Sequence, residues 1–190
     1  MNKISLIWNG KMRGIISAIF LLIGSAFHIL LDHLTTFFVR SNLRRVGKNV
    51  CIHSGITYRY PGNIEIGNDV TIARRVTLNS ENKNGHLRID DKVILTFDVK
   101  IDFSGGVHIG KNTLISKNCM IETHDHGLDP YAIPDYKDLV IGENVWVGMN
   151  SIILSDVRRI GSNSIIAAGS IVTKEVPSNC IVGGVPAKII

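Results

Sequence analysis

Residues 109–120 read Ile-Gly-Lys-Asn-Thr-Leu and then Ile-Ser-Lys-Asn-Cys-Met, two consecutive six-residue units that each begin with isoleucine. Comparable units begin at Ile66, Ile72, Ile141 and Ile160. A fixed short period indicates a repeat architecture. Six residues match a short strand and a turn, with one apolar side chain in a narrow core and Gly or Asn near the bend. The units therefore predict stacked β-strands.

The aliphatic positions of these units continue through most of the chain as six triplets. The predicted inward positions are 46, 52 and 58; 66, 72 and 78; 89, 95 and 101; 109, 115 and 121; 141, 147 and 153; and 160, 166 and 172. The spacing within every triplet is 6, whereas the spacings between triplets are 8, 11, 8, 20 and 7. This pattern predicts about six triangular coils whose insertions all leave from one edge. Coils about 4.8 Å apart would form a prism about 30 Å long.

The longest insertion, residues 122–140, interrupts the repeat and contains His124 and His126. In an extended segment residues i and i+2 face the same way, so both imidazoles could reach one cleft. Histidine suits the removal of a hydroxyl proton because much of it is neutral at cellular pH. The insertion is therefore the predicted active-site loop.

The repeat units and three further motifs resemble those of the hexapeptide-repeat acyltransferases. These motifs are Val-Trp-Val-Gly at 145–148, Ala-Gly-Ser-Ile-Val-Thr-Lys-Glu-Val-Pro at 168–177, and Gly-Gly-Val-Pro-Ala-Lys-Ile-Ile at 183–190. The resemblance covers about residues 44–190 and favours the branch of galactoside and maltose acetyltransferases and polysaccharide O-acetyltransferases. It implies an all-β domain over residues 46–190, a left-handed parallel β-helix. It also implies a homotrimer that binds acetyl-CoA between neighbouring prisms.

The same resemblance implies roles for residues in the loop. His126 falls where the sugar acetyltransferases have their catalytic histidine, and His124 is the near alternative because related polysaccharide enzymes have a similar His-x-His. Glu122 and Asp125 are candidates to orient an imidazole through its other nitrogen.

Acetyl-CoA and acceptor sites are also implied by the resemblance. The predicted acetyl-CoA contacts are Met149, Ala168, Thr173, Lys174 and Lys188, with Trp146 as a wall of the groove. Lys188 stands where arginine is common, and it would meet a phosphate as a point charge. Asp98 and Asp102 are the predicted acceptor-binding residues. Thr96 replaces an asparagine of the galactoside enzymes, which argues against the same acceptor.

Residues 1–45 form a separate apolar and basic segment, predicted to be helical. Residues 15–31 are an uninterrupted run of 17 mainly apolar residues, at the lower limit for spanning a bilayer. Residues 1–48 carry seven basic side chains against Asp32, whereas the other 142 residues carry 14 basic and 15 acidic ones. Three alternatives stay open: packing on the domain or a neighbouring subunit, lying on an anionic membrane surface, or spanning the membrane.

The function predicted from these features is acetyl-CoA-dependent O-acetylation of a saccharide, such as a surface-polysaccharide intermediate, by a cytoplasmic or peripheral membrane enzyme that requires no metal. An N-acetyltransferase of an amino-sugar is the nearest alternative. A zinc hydratase of the γ-carbonic-anhydrase kind matches poorly, since that site uses three histidines. A non-catalytic membrane-associated scaffold is the remaining alternative. The solenoid has no visible basic stripe, which argues against nucleic acid as a partner.

Overall fold

The computed structural model describes the backbone of residues 3–190 and the side chains from Gly14 onward. Met1 and Asn2, the start of the predicted helical segment, lie outside the described residues. One helix, α1 (Lys3–Asn42), precedes a long series of short strands. The predicted N-terminal helix is therefore present, and it ends just before the first strand.

Twenty-two strands follow the helix. The first eleven are β1 (Arg45–Val46), β2 (Cys51–Ile52), β3 (Thr57–Tyr58), β4 (Ile64–Ile66), β5 (Thr71–Ile72), β6 (Thr77–Asn79), β7 (Leu87–Ile89), β8 (Ile94–Leu95), β9 (Lys100–Asp102), β10 (Val107–Ile109) and β11 (Leu114–Ile115). The others are β12 (Met120–Ile121), β13 (His124–Asp125), β14 (Asp135–Tyr136), β15 (Leu139–Ile141), β16 (Trp146–Val147), β17 (Ile152–Ile153), β18 (Arg159–Ile160), β19 (Ile165–Ile166), β20 (Ile171–Val172), β21 (Ile181–Gly184) and β22 (Ala187–Ile189). A single 3-10 turn, Pro61–Asn63, lies between β3 and β4.

Twenty of these strands build the three faces of a parallel β-solenoid. Face A contains β1, β4, β7, β10, β15 and β18; face B contains β2, β5, β8, β11, β16, β19 and β21, with β22 antiparallel at its end; and face C contains β3, β6, β9, β12, β17 and β20. Six coils are complete, and a seventh begins where Val176 pairs with Ile160 and Val182 with Ile166. The predicted hexapeptide-repeat β-helix is confirmed, with about seven turns in place of about six. Its left hand stays an implication of the resemblance.

The predicted inward positions form the core. Sixteen of the eighteen are at most 2% exposed, and only Val46 and Tyr58, both in the first coil, are partly buried. Burying one aliphatic side chain of this size contributes roughly 1.5–3 kcal/mol. The period of six therefore persists because each unit must place one such side chain in a narrow interior.

Asparagines stack along the corner between faces A and B. Asn112, Asn144, Asn163 and Asn179 all have left-handed backbone, with φ between 55° and 60°. The side-chain amides of the first three each donate to the asparagine of the next coil, at 3.1, 3.0 and 3.1 Å. Asparagine tolerates left-handed backbone better than most residues, and its side-chain amides pair between coils. These two properties explain why asparagine recurs at this position of the sequence units.

The last third of α1 covers the first coil. Val39 and Leu43 are buried there, and the Thr36 hydroxyl donates to the carbonyl of Ile52 at 3.0 Å. Asp32 accepts hydrogen bonds from the Ser54 amide at 2.8 Å and from the His53 imidazole at 2.8 Å. These contacts fix the direction in which the helix leaves the solenoid.

The apolar stretch before Asp32 is mostly exposed. Eight of its large side chains are exposed by 49% to 72%: Ile19, Phe20, Leu21, Leu22, Ile23, Phe27, Ile29 and Leu30. The helix from Gly14 to Asn42 is long and apolar enough to cross a membrane. Of the three alternatives for this segment, packing on its own domain therefore does not describe the part before Asp32.

Candidate active site

The candidate site lies at the edge where face C turns into face A. The first residue after the inward position of face C is polar in three successive coils: Asn79, Asp102 and Glu122. Asn79 and Asp102 are direct neighbours in the parallel pairing of β6 and β9. Since neighbouring coils stack in register, the repeat brings these polar side chains to one edge, where the insertions also begin.

The loop of residues 122–140 contains a small hairpin. Strands β13 and β14 pair antiparallel, with His124 opposite Tyr136. The amide of Lys137 donates to the carbonyl of Thr123 at 2.9 Å, which closes the base of the loop. Leu128, Tyr131 and Ile133 at the far end are almost fully exposed. The loop is therefore an arm with a fixed base and an apolar, uncovered tip.

His124 is held by a buried carboxylate. Its Nδ1 donates to Oδ2 of Asp102 at 2.8 Å, and the Asp102 side chain is only 8% exposed. Asp102 is itself held by the Thr123 amide at 3.1 Å and by the hydroxyls of Thr123 and Ser104. Burial disfavours the imidazolium, but the hydrogen bond and charge of Asp102 and the charges of Glu81 and Glu122 outweigh it, so the pKa of His124 is raised.

His126 is held differently, by the backbone. Its Nδ1 donates to the carbonyl oxygen of Ala132 at 2.9 Å. Because a carbonyl can only accept, this bond places the proton on Nδ1 and leaves the Nε2 lone pair free. The rings of His124 and His126 stand edge to face with centroids 5.4 Å apart. Both Nε2 atoms therefore belong to one small cleft.

Glu81 completes this group from the insertion between β6 and β7. Its Oε2 lies 3.7 Å from Nε2 of His124 and 3.9 Å from Nε2 of His126. Glu122 lies beside Asp102, and burial together with the Asp102 charge raises the pKa of its carboxyl. A cleft lined by Glu81, Asp102, Glu122 and His124 also includes Thr77, Asn79, Lys100 and Ile101.

Several predicted roles differ from the geometry. Asp102, predicted to bind the acceptor, is buried and bonded to His124. Glu122 and Asp125, predicted to orient an imidazole, are not the Nδ1 partners of either histidine; Asp125 instead accepts from the amide of Gly127. Asp98 lies at another corner, in a two-point ion pair with Arg75 whose distances are both 2.7 Å.

Sequence reasoning missed Glu81 and the partnership of Asp102 with His124. A signal for both was available. Glu81 stands in the second-longest of the insertions that share one edge, and Asp102 has the same register as Asn79 and Glu122 in adjacent coils. The fold of the loop, which brings His124 back over Asp102, has no counterpart in the repeat pattern.

The predicted acetyl-CoA contacts lie at different corners and faces of the solenoid. Met149 and Ala168 lie at the corner between faces B and C in successive coils, and the Gly169 amide donates to the Met149 carbonyl at 2.8 Å. Thr173 and Lys174 follow β20, on the edge that carries the histidine loop. A Cβ at Gly148 would lie 2.5 Å from the Ala168 nitrogen, so glycine permits the close approach of these coils.

The last two predicted contacts lie on or beside face B. Trp146 is about half exposed and donates from Nε1 to the Ser116 hydroxyl at 3.0 Å. Lys188 is exposed on β22. Within one chain the six positions therefore do not form one pocket with the histidines.

Comparisons with known proteins agree with this architecture. Residues 138–174 match the family model described as bacterial transferase hexapeptide (six repeats). The putative lipopolysaccharide biosynthesis O-acetyl transferase WbbJ of Escherichia coli K12 is 32% identical over 145 residues, which cover 70% of this chain and 73% of WbbJ. The chain belongs to the hexapeptide-repeat acetyltransferase family.

Two further members show the range of the likeness. Galactoside O-acetyltransferase of Escherichia coli K12 is 29% identical over 80% of this chain, which spans 65% of that relative, slightly less than two thirds. The hexapeptide-repeat acetyltransferase VCA0836 of Vibrio cholerae, in a crystal structure with acetyl coenzyme A, is 25% identical with a TM-score of 0.63. That alignment covers 84% of this acetyltransferase-family chain and 77% of VCA0836.

Proposed function

We propose that this chain transfers an acetyl group from acetyl-CoA to a hydroxyl of a saccharide, with His126 as the general base. One observation carries the proposal: two imidazoles share a cleft, and an acceptor on each Nδ1 leaves both Nε2 atoms available to reactants. The O-acetyltransferase relatives support the hydroxyl acceptor, and the acetyl-CoA complex of VCA0836 supports the donor.

The two histidines have different environments, which suggests different roles. The raised pKa of His124 favours its imidazolium, a hydrogen-bond donor at Nε2. His126 instead donates from Nδ1 to a backbone carbonyl, and the tautomer with its proton on Nδ1 has a free lone pair at Nε2. Titratable pairs whose environments differ in this way commonly divide acid and base work. His126 is therefore the base, and His124 the donor to developing negative charge.

Acetyl-CoA would supply the acetyl group as a thioester. His126 Nε2 takes the proton from the attacking hydroxyl as the new C–O bond forms, and it returns that proton to the sulfur that leaves when the C–S bond breaks. His124 Nε2–H donates to the carbonyl oxygen while that oxygen carries negative charge. Asp102 keeps the His124 ring in place throughout.

The test compares two variants in a thiol-release assay with a panel of sugars and amino-sugars. We expect His126→Ala to lower kcat by about 10²–10⁴ and His124→Ala by about 10²–10³. Full activity in His126→Ala would assign the base to His124. Transfer only to amino groups would support the N-acetyltransferase alternative.

The proposal includes a homotrimer, supported by the contrast between the outer surfaces of the faces. Face B exposes the apolar side chains Ile94, Trp146 and Ile181 by 41% to 51%, whereas face A exposes Arg45, Arg88 and Arg159. An interface core excludes charge, so face B would lie between protomers and face A in solvent. The predicted acetyl-CoA contacts of a neighbouring chain could then lie beside the histidines of this one and complete the site. The small residues near Gly148 would leave room for the thin pantetheine arm of acetyl-CoA.

Light scattering tests the trimer with a matched pair of variants. Ile181→Arg introduces a charge on face B, and Val140→Arg introduces the same charge on face A, where Val140 is 38% exposed. We expect monomers for Ile181→Arg and a trimer for Val140→Arg. A wild-type monomer, or an Ile181→Arg trimer, would contradict this part of the proposal.

The proposal also places the solenoid in the cytoplasm with the apolar part of α1 inserted in the membrane. Residues 15–31 would span about 26 Å as a helix, close to the bilayer core of about 30 Å. The exposed apolar side chains surround the helix, which fits lipid better than a one-sided surface contact. Arg40, Arg44, Arg45 and Lys48 follow the apolar part of α1 on the solenoid side, in agreement with the preference of cytoplasmic flanks for positive charge.

Carbonate extraction of membranes from cells that express the chain tests this location. We expect the wild type to stay in the membrane pellet and a variant with Phe20, Leu21 and Leu22 changed to serine to be released. Release of both would exclude a spanning helix. Protease added to intact cells should leave the solenoid uncut, and cleavage would contradict the cytoplasmic location.

A further inference from the structure

Glu81, His124 and His126 form a group with the geometry of a metal site. Their facing ligand atoms all lie within 4.8 Å of one another, and the Glu81 oxygen is 3.7 and 3.9 Å from the two Nε2 atoms. A tetrahedral zinc ion with bonds of about 2.0–2.1 Å holds its ligand atoms about 3.3–3.5 Å apart. The two distances to Glu81 exceed that separation by only a few tenths of an ångström.

The hydrogen bonds made by the Nδ1 atoms of the two imidazoles are an independent observation that supports a metal site. Metal-bound histidines usually donate their other ring N–H to a carboxylate or a backbone carbonyl, which fixes the tautomer. Here His124 donates to Asp102 at 2.8 Å and His126 to the Ala132 carbonyl at 2.9 Å. Both bonds leave Nε2 on the side of Glu81, where an ion would bind in place of the Nε2 proton of His124.

The ligand types and the exposure restrict the kind of ion. Two imidazole nitrogens and one carboxylate oxygen suit zinc, cobalt or nickel better than magnesium or calcium, which prefer oxygen alone. The Glu81 side chain is 49% exposed and that of His126 is 32% exposed, so an ion can reach the group from solvent. Three protein ligands would leave a fourth position to water.

We propose that Glu81, His124 and His126 bind one zinc-class divalent cation per chain, and that this ion blocks acetyl transfer. The ion occupies both Nε2 lone pairs, so His126 cannot accept a proton and His124 cannot donate one. Binding also ties the loop of residues 122–140 to the insertion that carries Glu81. The binding site stands on the geometry alone, whereas the block of acetyl transfer rests on the proposed function.

Cobalt and zinc titrations of the chelator-treated, full-length protein without acetyl-CoA test the site. We expect one Co²⁺ per chain with the visible absorption of a low-coordinate site, displaced by Zn²⁺. His124→Ala and His126→Ala should each weaken binding at least 10-fold, and Asp102→Asn about 10- to 100-fold through the His124 ring. Glu81→Gln, at a half-exposed position, should also weaken Co²⁺ binding.

His108→Ala is the matched control, because His108 also pairs with a carboxylate, Asp90, at 2.8 Å but lies on face A. The Co²⁺ and Zn²⁺ titrations of His108→Ala should match those of the wild type. Stoichiometric binding that survives in the folded His124→Ala/His126→Ala double variant, or no uptake by the wild type, would overturn the site.

Thiol release separates this inference from the proposed function. We expect saturating Zn²⁺ to stop the chelator-treated enzyme and excess chelator to restore it. Metal binding at the three residues without any thiol release by metal-free protein would leave the site intact and refute the proposed activity. Undiminished thiol release from the metal-saturated enzyme would refute the block.

Discussion

Nδ1 of His124 donates a 2.8 Å hydrogen bond to Oδ2 of Asp102, a residue 22 positions earlier in the chain. The contact joins the irregular loop to the rigid third coil, where Asp102 is the last residue of β9. The Asp102 carboxylate also accepts hydrogen bonds from the amide of Thr123 and the hydroxyl of Ser104. The solenoid thus provides a fixed buried charge, and the loop brings an imidazole to it.

Asp102→Asn tests this relationship, because it keeps the shape and removes the charge. We expect a 10- to 100-fold lower kcat with a smaller change in KM, since the His124 ring loses its orientation and its charge partner. Steady-state kinetics of thiol release measures this, with circular dichroism to confirm the fold. Asp90→Asn removes the carboxylate of the corresponding pair with His108 on face A and should leave kcat near wild type. Equal losses in both variants would contradict a special role of Asp102.

His124 should make the stability of the protein depend on pH. Its pKa is raised in the folded state, so its stabilising contribution is complete below the unfolded value of about 6.5 and disappears as the pH rises through the raised value. We therefore expect the Tm gap between wild type and His124→Gln to be larger at pH 6 than at pH 9. Differential scanning fluorimetry gives both gaps.

The control for this titration repeats the His124→Gln change in an Asp102→Asn background. With the partner charge removed, the gap should become smaller and depend less on pH. A gap that grows with pH in the wild-type background would mean that burial, and not Asp102, dominates the pKa of His124.

Asp32→Asn should loosen the helix from the first coil. The Asp32 side chain is 13% exposed and accepts from the Ser54 amide, His53 and Arg74, so its loss leaves a cationic side chain without its partner. We expect a destabilisation of about 2 kcal/mol. Denaturant unfolding measures it, and protease cleavage between residues 31 and 45 should become faster.

The matched control is Arg75→Ala, which breaks the exposed ion pair with Asp98. We expect this change to cost much less stability than Asp32→Asn, because exposed pairs contribute little. If the two variants lose the same stability, the Asp32 contacts do not hold the helix.

Lys188→Ala should weaken the binding of acetyl-CoA. A single exposed lysine beside a phosphate contributes up to about 1 kcal/mol, so KM for acetyl-CoA should rise two- to fivefold with kcat and the acceptor KM unchanged. Lys111→Ala removes a similarly exposed lysine, ion-paired with Glu143 at 3.7 Å, and should change none of these constants. An unchanged donor KM in Lys188→Ala would remove this residue from the predicted acetyl-CoA site.

The sequence by itself determined the solenoid, its core and the edge that carries the insertions. Each hexapeptide must bury one aliphatic side chain, so the pattern of positions such as Ile109 and Ile115 is visible without coordinates. The same count placed the histidine loop on the edge shared by the other insertions. Periodicity succeeds here because every coil repeats the same local requirement.

Only the tertiary structure decided which side chains meet at that edge. Glu81, Asp102 and His124 are separated by about one coil each, and stacking makes them neighbours whatever their distance along the chain. The hairpin of β13 and β14 then sets the direction of each imidazole through two specific bonds, to Asp102 and to the Ala132 carbonyl. These contacts depend on side-chain direction and on one irregular loop, and a repeating pattern contains no information about either.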